Sequence, residues 1–404
     1  MAKVYPFRGI HYDTGRIQLG DVITPPYDVI TPEQGRRFRE QSPYNFAHLI
    51  LPKDKSAYVE VGARLRKWKS EKILVQDPIP HFYLYQQRFT TDKEHSRNVL
   101  LCSVELADFS EGVVLPHELT HGRPVEDRLN LLRETQSHLS AVFAMVRDEN
   151  GILAGHYESV VYDPPELQGK TNDGIVHSLW RLPVELNTAI AGFFESQPLY
   201  IVDGHHRYTS ALAYAREAGT YKGDKESSRM FFAVANAYDP ALQVFPTHRL
   251  IRHAVMDVKT REALEQLYRV HPVSRGELDR FVKNQATEPS FILCYQSEFM
   301  LCTPKNPQRE EWGSLAKLSV TWSDNVFLKE VCKISEHERG ERISYFRDEG
   351  ELLQAMQNTD AGIFLPTPGV EDIPMVADEG RYMPQKSTYF FPKLAAGILL
   401  RSLT

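Results

Sequence analysis

Cysteine is scarce in this chain. Only Cys102, Cys294, Cys302 and Cys332 occur among 404 residues, far apart and with no C-x-x-C pair. That spacing excludes a thiolate zinc site and a disulfide framework. Long apolar runs are missing as well: no stretch of about eighteen apolar residues occurs, and the opening MAKVYPFRGI has no signal-like apolar core. Positive charge is not in excess, since 47 Lys and Arg stand against 53 Asp and Glu for a net charge of −6. No global field would therefore draw the chain to nucleic acid. Repeats and low-complexity tracts are absent too. The expectation is a cytoplasmic protein with small-molecule partners and neither membrane nor nucleic-acid binding; a homo-oligomer is left open.

What remains is an ordinary globular balance, 42% hydrophobic and 25% charged, in a length that as a rough prior holds two or three domains. The segment after Val29 reads as a helix start, with Thr31 as N-cap, Pro32 at the first position and Glu33 in the first turn. Tyr58, Val61, Leu65 and Trp68 recur at helical spacing and predict a helix over 58–72. HFYLYQQRFT and NVLLCSVEL read as strands. A polar helix is expected over 125–140. The second half predicts a helix over 258–270, strands SFILCYQ, FMLCTP and GIFLP, and a helix near 351–357. Such alternation indicates α/β or α+β layers. The expected partition is 1–95, 96–252 and 253–404, with 383–393 folding back on the core.

The clearest unit is PLYIVDGHHRYTSALAYAREAG. A buried strand, Leu199–Val202, enters an Asp-Gly turn, and a helix follows with Ala211, Leu212 and Ala215 on one face and Gly219 as stop signal. A strand that ends at Asp203-Gly204 and restarts as a helix leaves unpaired N–H groups at the positive end of the helix dipole, which is an anion site. Gly204 has no Cβ to keep a ligand away. His205, His206 and Arg207 bring imidazoles and a guanidinium to the same mouth, and a guanidinium fork suits phosphate oxygens. The competing structural interpretation makes Asp203 an N-cap and the histidines surface residues.

PPYDVI (25–30), PHE (116–118), DGHHRY (203–208), PTHR (246–249) and MPQKSTYFFPK (383–393) together resemble domain-of-unknown-function family 1015 along nearly the whole chain. DGHHR also resembles the nucleotide-binding turn of the ParB and sulfiredoxin superfamily, which includes CTP-binding partition proteins, sulfiredoxins and free-serine kinases with a DGH-x-R turn. The second resemblance implies a ParB/sulfiredoxin-like mixed-sheet core with an additional C-terminal α+β domain, and a nucleotide phosphate on Gly204, His205, His206, Arg207 and Tyr208. His205 stands where sulfiredoxins carry their cysteine, and no basic helix-turn-helix follows as in partition proteins. The kinase branch therefore loses least.

HELTH, residues 117–121, matches the H-E-x-x-H zinc pattern. Pro116 before it, with Gly122 and Pro124 after it, leaves barely one turn of helix to align the two histidines, which argues against a zinc peptidase. Instead His117, Glu118 and Thr120 are candidates for the same pocket. Glu118 either holds Mg²⁺ or deprotonates a hydroxyl acceptor, and Asp203 competes for both roles. Family resemblance adds Thr247, His248 and Arg249 as a second anion contact and Lys386 as a phosphate ligand, with Ser387 and Thr388 beside it. Tyr27 and Asp28 are expected to close one wall. Arg128, on a polar helix, reads more readily as solvated surface than as ligand. The expected function is a phosphotransferase using Mg²⁺ and ATP, ADP or CTP on a small hydroxyl-bearing metabolite. Resemblance makes free L-serine the first candidate, with Asp203, Glu118 and His206 as catalytic groups. The alternatives are a nucleotide-binding regulatory switch and a metal-dependent hydrolase.

Overall fold

Helix ends that are visible in the sequence are built as their chemistry requires. The computed structural model describes residues 1–53 and 57–404. In α1 (Pro32–Gln41) the Thr31 hydroxyl accepts from Gln34 N while the Gln34 side chain accepts from Thr31 N, a reciprocal cap with Pro32 at the first helical position. Helix α2 (Ala57–Ser70) buries Tyr58, Val61, Leu65 and Trp68, the four residues whose spacing predicts it. Helix α3 (Gly122–Thr135) begins and ends earlier than the expected 125–140. Gln136 takes φ 47° and closes the last turn through its N–H to Leu132 O, so Ser137–His138 leave as a strand. Helix α4 (His205–Glu217) stops before Gly219, which has φ 64°.

The chain divides into one unit of Met1–Leu242 with Pro392–Thr404 and a second of Gln243–Phe391. In the first, strands β1 (Val4–Tyr5), β2 (Tyr83–Thr90), β3 (Glu94–Glu105), β4 (Val114–Leu115), β5 (Val142–Val146), β6 (Leu167–Lys170), β7 (Val176–Arg181), β8 (Leu199–Asp203) and β9 (Arg229–Asn236) form a nine-stranded sheet. Its order is β4-β8-β5-β9-β3-β2-β7-β6, with β1 beside β3. The sheet is mixed: β8 runs parallel to β4 and β5 parallel to β9, while β8–β5 and the hairpin β2–β3 are antiparallel. Strand β3 runs through residue 95, where the sequence partition draws a boundary, because its pairing with β2 is continuous from Glu94 to Leu101. The core joins Leu100, Cys102, Val142, Ala144, Ile201 and Phe232 of the sheet to Tyr208, Ala211 and Ala215 of α4. A four-stranded sheet of Gly9–Tyr12, Leu74–Gln76, Ser137–His138 and Leu400–Ser402 ties the chain's last residues into this unit.

The second unit is α+β. The expected helix over 258–270 is α5 (Val258–Leu267), and residues 268–273 continue as a strand instead. The remaining strands, His248–Ile251, Phe291–Tyr295, Glu298–Pro304, Ile343–Phe346 and Ala361–Phe364, complete a six-stranded sheet in which every pairing is antiparallel. The protein is thus a mixed α/β unit with a large mixed sheet plus an α+β unit from the second half of the chain. No helix among the described residues is long and apolar enough to cross a membrane.

Candidate functional site

Strands β4 and β8 are parallel neighbours, so the segments that follow them, 116–121 and 203–208, leave the sheet at the same edge. The two histidines of the turn fasten the first segment to the second. His117 N donates to His205 Nε2 at 3.3 Å and His121 N donates to His206 Nε2 at 3.1 Å. Both imidazoles accept a hydrogen bond at Nε2, so that nitrogen carries no proton in either ring. The His117 ring packs edge-on against His205 with centroids 4.8 Å apart, and its Nδ1 donates to Ile201 O at 2.7 Å. Burial lowers the pKa of both His117 and His205 below the ordinary imidazole value, and Arg207 and His206 push His205 further down. These rings are neutral structural linkers at pH 7, not phosphate-neutralising cations. The HELTH stretch is a bend, and α3 starts only at Gly122. Among the described residues no three His, Cys, Asp or Glu side chains converge to hold a metal.

Asp203 is the last residue of β8, and no side chain among the described residues caps α4. The N-cap position is Gly204, and helical hydrogen bonding begins with Tyr208 N to Gly204 O at 3.0 Å, so the earlier first-turn amides are not used by the helix. The Asp203 carboxylate turns inward, 2.8 Å from Lys393 Nζ and 3.4 Å from Arg207 Nη2. Burial would raise its pKa, but Lys393 and Arg207 outweigh burial and hold it well below the usual carboxylate range. With both oxygens engaged, Asp203 is a poor Mg²⁺ ligand and a poor base. Lys393 itself is placed by Gln87, whose Nε2 donates to Lys393 O at 3.0 Å, and by Arg97, which donates to Pro392 O at 2.5 Å.

Gly204 has φ 98°, and a Cβ there would lie 2.9 Å from the Arg207 guanidinium. The space expected for a ligand beside Gly204 is occupied by Arg207, which folds back over the turn and donates to Ala141 O and Asp203. Tyr208 is also reassigned. It is fully buried, exchanges hydrogen bonds with the backbone of Ala107 and stacks on Phe109, so it anchors α4 rather than touching a nucleotide.

Glu118 and Thr120 are half-buried in the bend, and no hydrogen bond or ion pair holds the Glu118 carboxylate among the described residues. Arg128 is buried, contrary to the solvated-surface expectation. Its guanidinium lies 3.8 Å over the Tyr27 ring, pairs with Asp127 and donates to Ile50 O. Burial raises the Tyr27 pKa despite the opposing charges of Arg128 and Arg207. Asp28 is exposed in the short turn Tyr27–Val29. Arg128 and Arg207 both line a cavity of about 30 Å³ with Ser137, His138 and Ser140.

The remaining candidates lie in the second unit. Arg249 is fully buried; Nε and Nη2 face the two oxygens of Asp324 at 2.9 and 3.4 Å, and the guanidinium also donates to the carbonyls of Thr247, Gln385 and Lys386. Leu365 N donates to His248 Nδ1 at 3.1 Å, and burial lowers the His248 pKa to about 3. Thr247 is buried, Lys386 is exposed at φ 55°, the Ser387 hydroxyl donates to Pro384 O, and Thr388 is half-buried. The structure thus joins PTHR to QKS, but as a closed ion-pair network whose guanidinium is fully taken by protein acceptors.

Sequence reasoning did not single out Lys393, Asp127, Ser137 or His138. Lys393 lay inside MPQKSTYFFPK, so the signal was present; the other three carry no motif.

The fold and site together define a mixed-sheet α/β protein with a candidate anion site at the uncapped N-terminus of a helix. The chain belongs to the family described as protein of unknown function DUF1015, which it matches over residues 4–321. No curated protein matches it by sequence. Solved structures similar to it include C-terminally truncated SbnI from Staphylococcus aureus, with 11% identity, TM-score 0.37 and coverage of 70% of this chain and 82% of that one. A free serine kinase mutant in complex with AMP has 12% identity, TM-score 0.37 and coverage of 69% and 84%. A conserved hypothetical protein from Pyrococcus furiosus has 14% identity, TM-score 0.34 and coverage of 70% and 89%.

Proposed function

We propose that the chain binds a nucleotide by its phosphates at the N-terminus of α4 and transfers a phosphoryl group to a small hydroxyl-bearing metabolite. One observation carries the reading. His205 and His206 hold the loop that bears the unengaged Glu118 against the helix end whose first amides lack a side-chain cap. The acceptor hydroxyl attacks the terminal phosphorus of the nucleotide, the bond from that phosphorus to the nucleotide's leaving oxygen breaks, and the hydroxyl proton passes to Glu118. Bound Mg²⁺ would neutralise the phosphate oxygens, with Glu118 the fitting ligand where it is not the base. His206 orders the loop through His121 and so positions Glu118. The family resemblance of the DGHHR turn makes free L-serine the first acceptor to assay.

The test follows phosphorus by NMR while purified full-length protein is incubated with Mg²⁺, ATP, ADP or CTP, and L-serine or other small alcohols. A phosphorylated acceptor supports the reading. Saturable nucleotide binding with no product replaces it with a nucleotide-binding regulator. Phosphate release that needs a transition metal and no acceptor replaces it with a hydrolase.

A further inference from the structure

We infer that the cavity between α3, residues 137–140 and the Arg207 side chain is a binding site for the carboxylate of a small organic acid. This goes beyond the nucleotide reading and stands without it, because it needs neither a nucleotide nor the amides of α4. The polar lining of the cavity consists of Arg128, Arg207, Ser137, His138 and Ser140, and none of its lining residues is acidic.

One donor of the lining, the Ser137 hydroxyl, is left without a protein partner among the described residues, and Ser137 is 1% exposed. Such an orphan hydroxyl is destabilising unless something fills the site. His138 Nδ1 faces Arg401 Nη1 at 3.4 Å, and a guanidinium can only donate, so the proton of this imidazole sits on Nε2. Burial and Arg401 keep His138 neutral. Arg207 gives two hydrogen bonds, to Ala141 O and Asp203, from a group with five N–H donors.

The cavity is small, about 30 Å³, and opens to solvent, so only the head of an anion need enter it. Leu132 and Met230 line the same cavity, an apolar wall suited to an aliphatic body. Arg128 and Arg207 both line the cavity, and each is also paired with a carboxylate of the protein, Asp127 and Asp203.

The experiment is thermal unfolding of the full chain at pH 7 in sodium acetate, sodium phosphate and sodium chloride at matched ionic strength. Acetate is expected to raise the midpoint saturably by about 1–2 °C over chloride at tenfold saturation. Ser137→Ala, which removes only the orphan hydroxyl, is expected to fold like the parent and to shift the acetate half-saturation upward at least fivefold. Arg128→Gln is expected to shift it further. A midpoint that acetate moves no more than chloride does overturns the inference. So does a Ser137→Ala protein with the parent's half-saturation, or a rise with phosphate that acetate does not reproduce.

Discussion

Lys393 Nζ lies 2.8 Å from Asp203 Oδ2 across 190 residues of sequence, with both side chains about 15% exposed or less. The pair binds the start of the C-terminal segment to the turn that opens α4. Removing the ammonium leaves a buried carboxylate with only Arg207 at 3.4 Å. Lys393→Met is therefore expected to destabilise the protein by about 3–5 kcal/mol, the usual cost of breaking a buried pair from one side. Chemical denaturation of parent and variant measures it; equal midpoints would contradict the burial argument.

The same carboxylate sets an acid limit. Burial opposes ionisation of Asp203, yet Lys393 and Arg207 hold its folded-state pKa well below the unfolded value of about 3.9. A depressed carboxylate pKa adds stability that is fully present above the unfolded pKa and is lost as pH falls through the folded one. The parent should thus lose stability below about pH 4, and Asp203→Asn should show a shallower loss there. Denaturation midpoints at several pH values between 5 and 2 give both slopes.

Glu118→Gln keeps the shape of the bend and removes its unengaged carboxylate. Turnover in the phosphotransfer assay is expected to fall by about 10²–10⁴, the usual contribution of a general base. The dissociation constant for nucleotide, by calorimetry, should stay within about threefold. Full turnover in this variant would remove Glu118 from the reaction.

Gly204 is required twice, once by φ 98° and once by the guanidinium that a Cβ would meet at 2.9 Å. Gly204→Ala is expected to cost about 1–3 kcal/mol. Gly122, where an added Cβ meets nothing within 4 Å and φ is not positive, is the matched control. Its alanine variant should unfold with the parent.

In the second unit, Arg249 and Asp324 are both essentially inaccessible. Arg249→Met should destabilise by about 3–5 kcal/mol, and pairing it with Asp324→Leu should recover only part of the loss, because Arg339, 3.3 Å from Asp324 and 13% exposed, then loses that carboxylate. Nucleotide affinity of the folded Arg249→Met protein should match the parent, since every acceptor of this guanidinium belongs to the protein.

Features that are local in the chain could be read from it. The Thr31 cap with Pro32 behind it, the four buried residues of α2 and the strand–turn–helix at 199–217 depend on residues within a turn or two of each other. The anchoring of PHE to DGHHR follows from the parallel neighbours β4 and β8, and that adjacency is written nowhere in either segment. Arg128 misleads for a related reason. A polar helix face looks solvated until Tyr27, a hundred residues earlier in the chain, covers it with an aromatic ring. Arg249 and Gly204 carry the expected residue types, but the contacts that employ them are internal ones. A residue type announces a capacity for hydrogen bonding; only the surrounding chain decides whether that capacity is left over for a ligand.

The second unit is entered and left through paired strands. Gln243–Phe245 and Tyr389–Phe391 run antiparallel with Gln243 opposite Phe391, so the two connections to the rest of the chain are neighbours. Everything from 243 to 391 is in this sense a long excursion from a single point, and the chain then returns to supply Lys393 and the strand Leu400–Ser402. Splicing 242 to 392 through a tight turn would leave the host sheet's wiring uncut. Clipping the final dozen residues would instead strip a strand and a buried counter-charge from the part that bears the helix mouth.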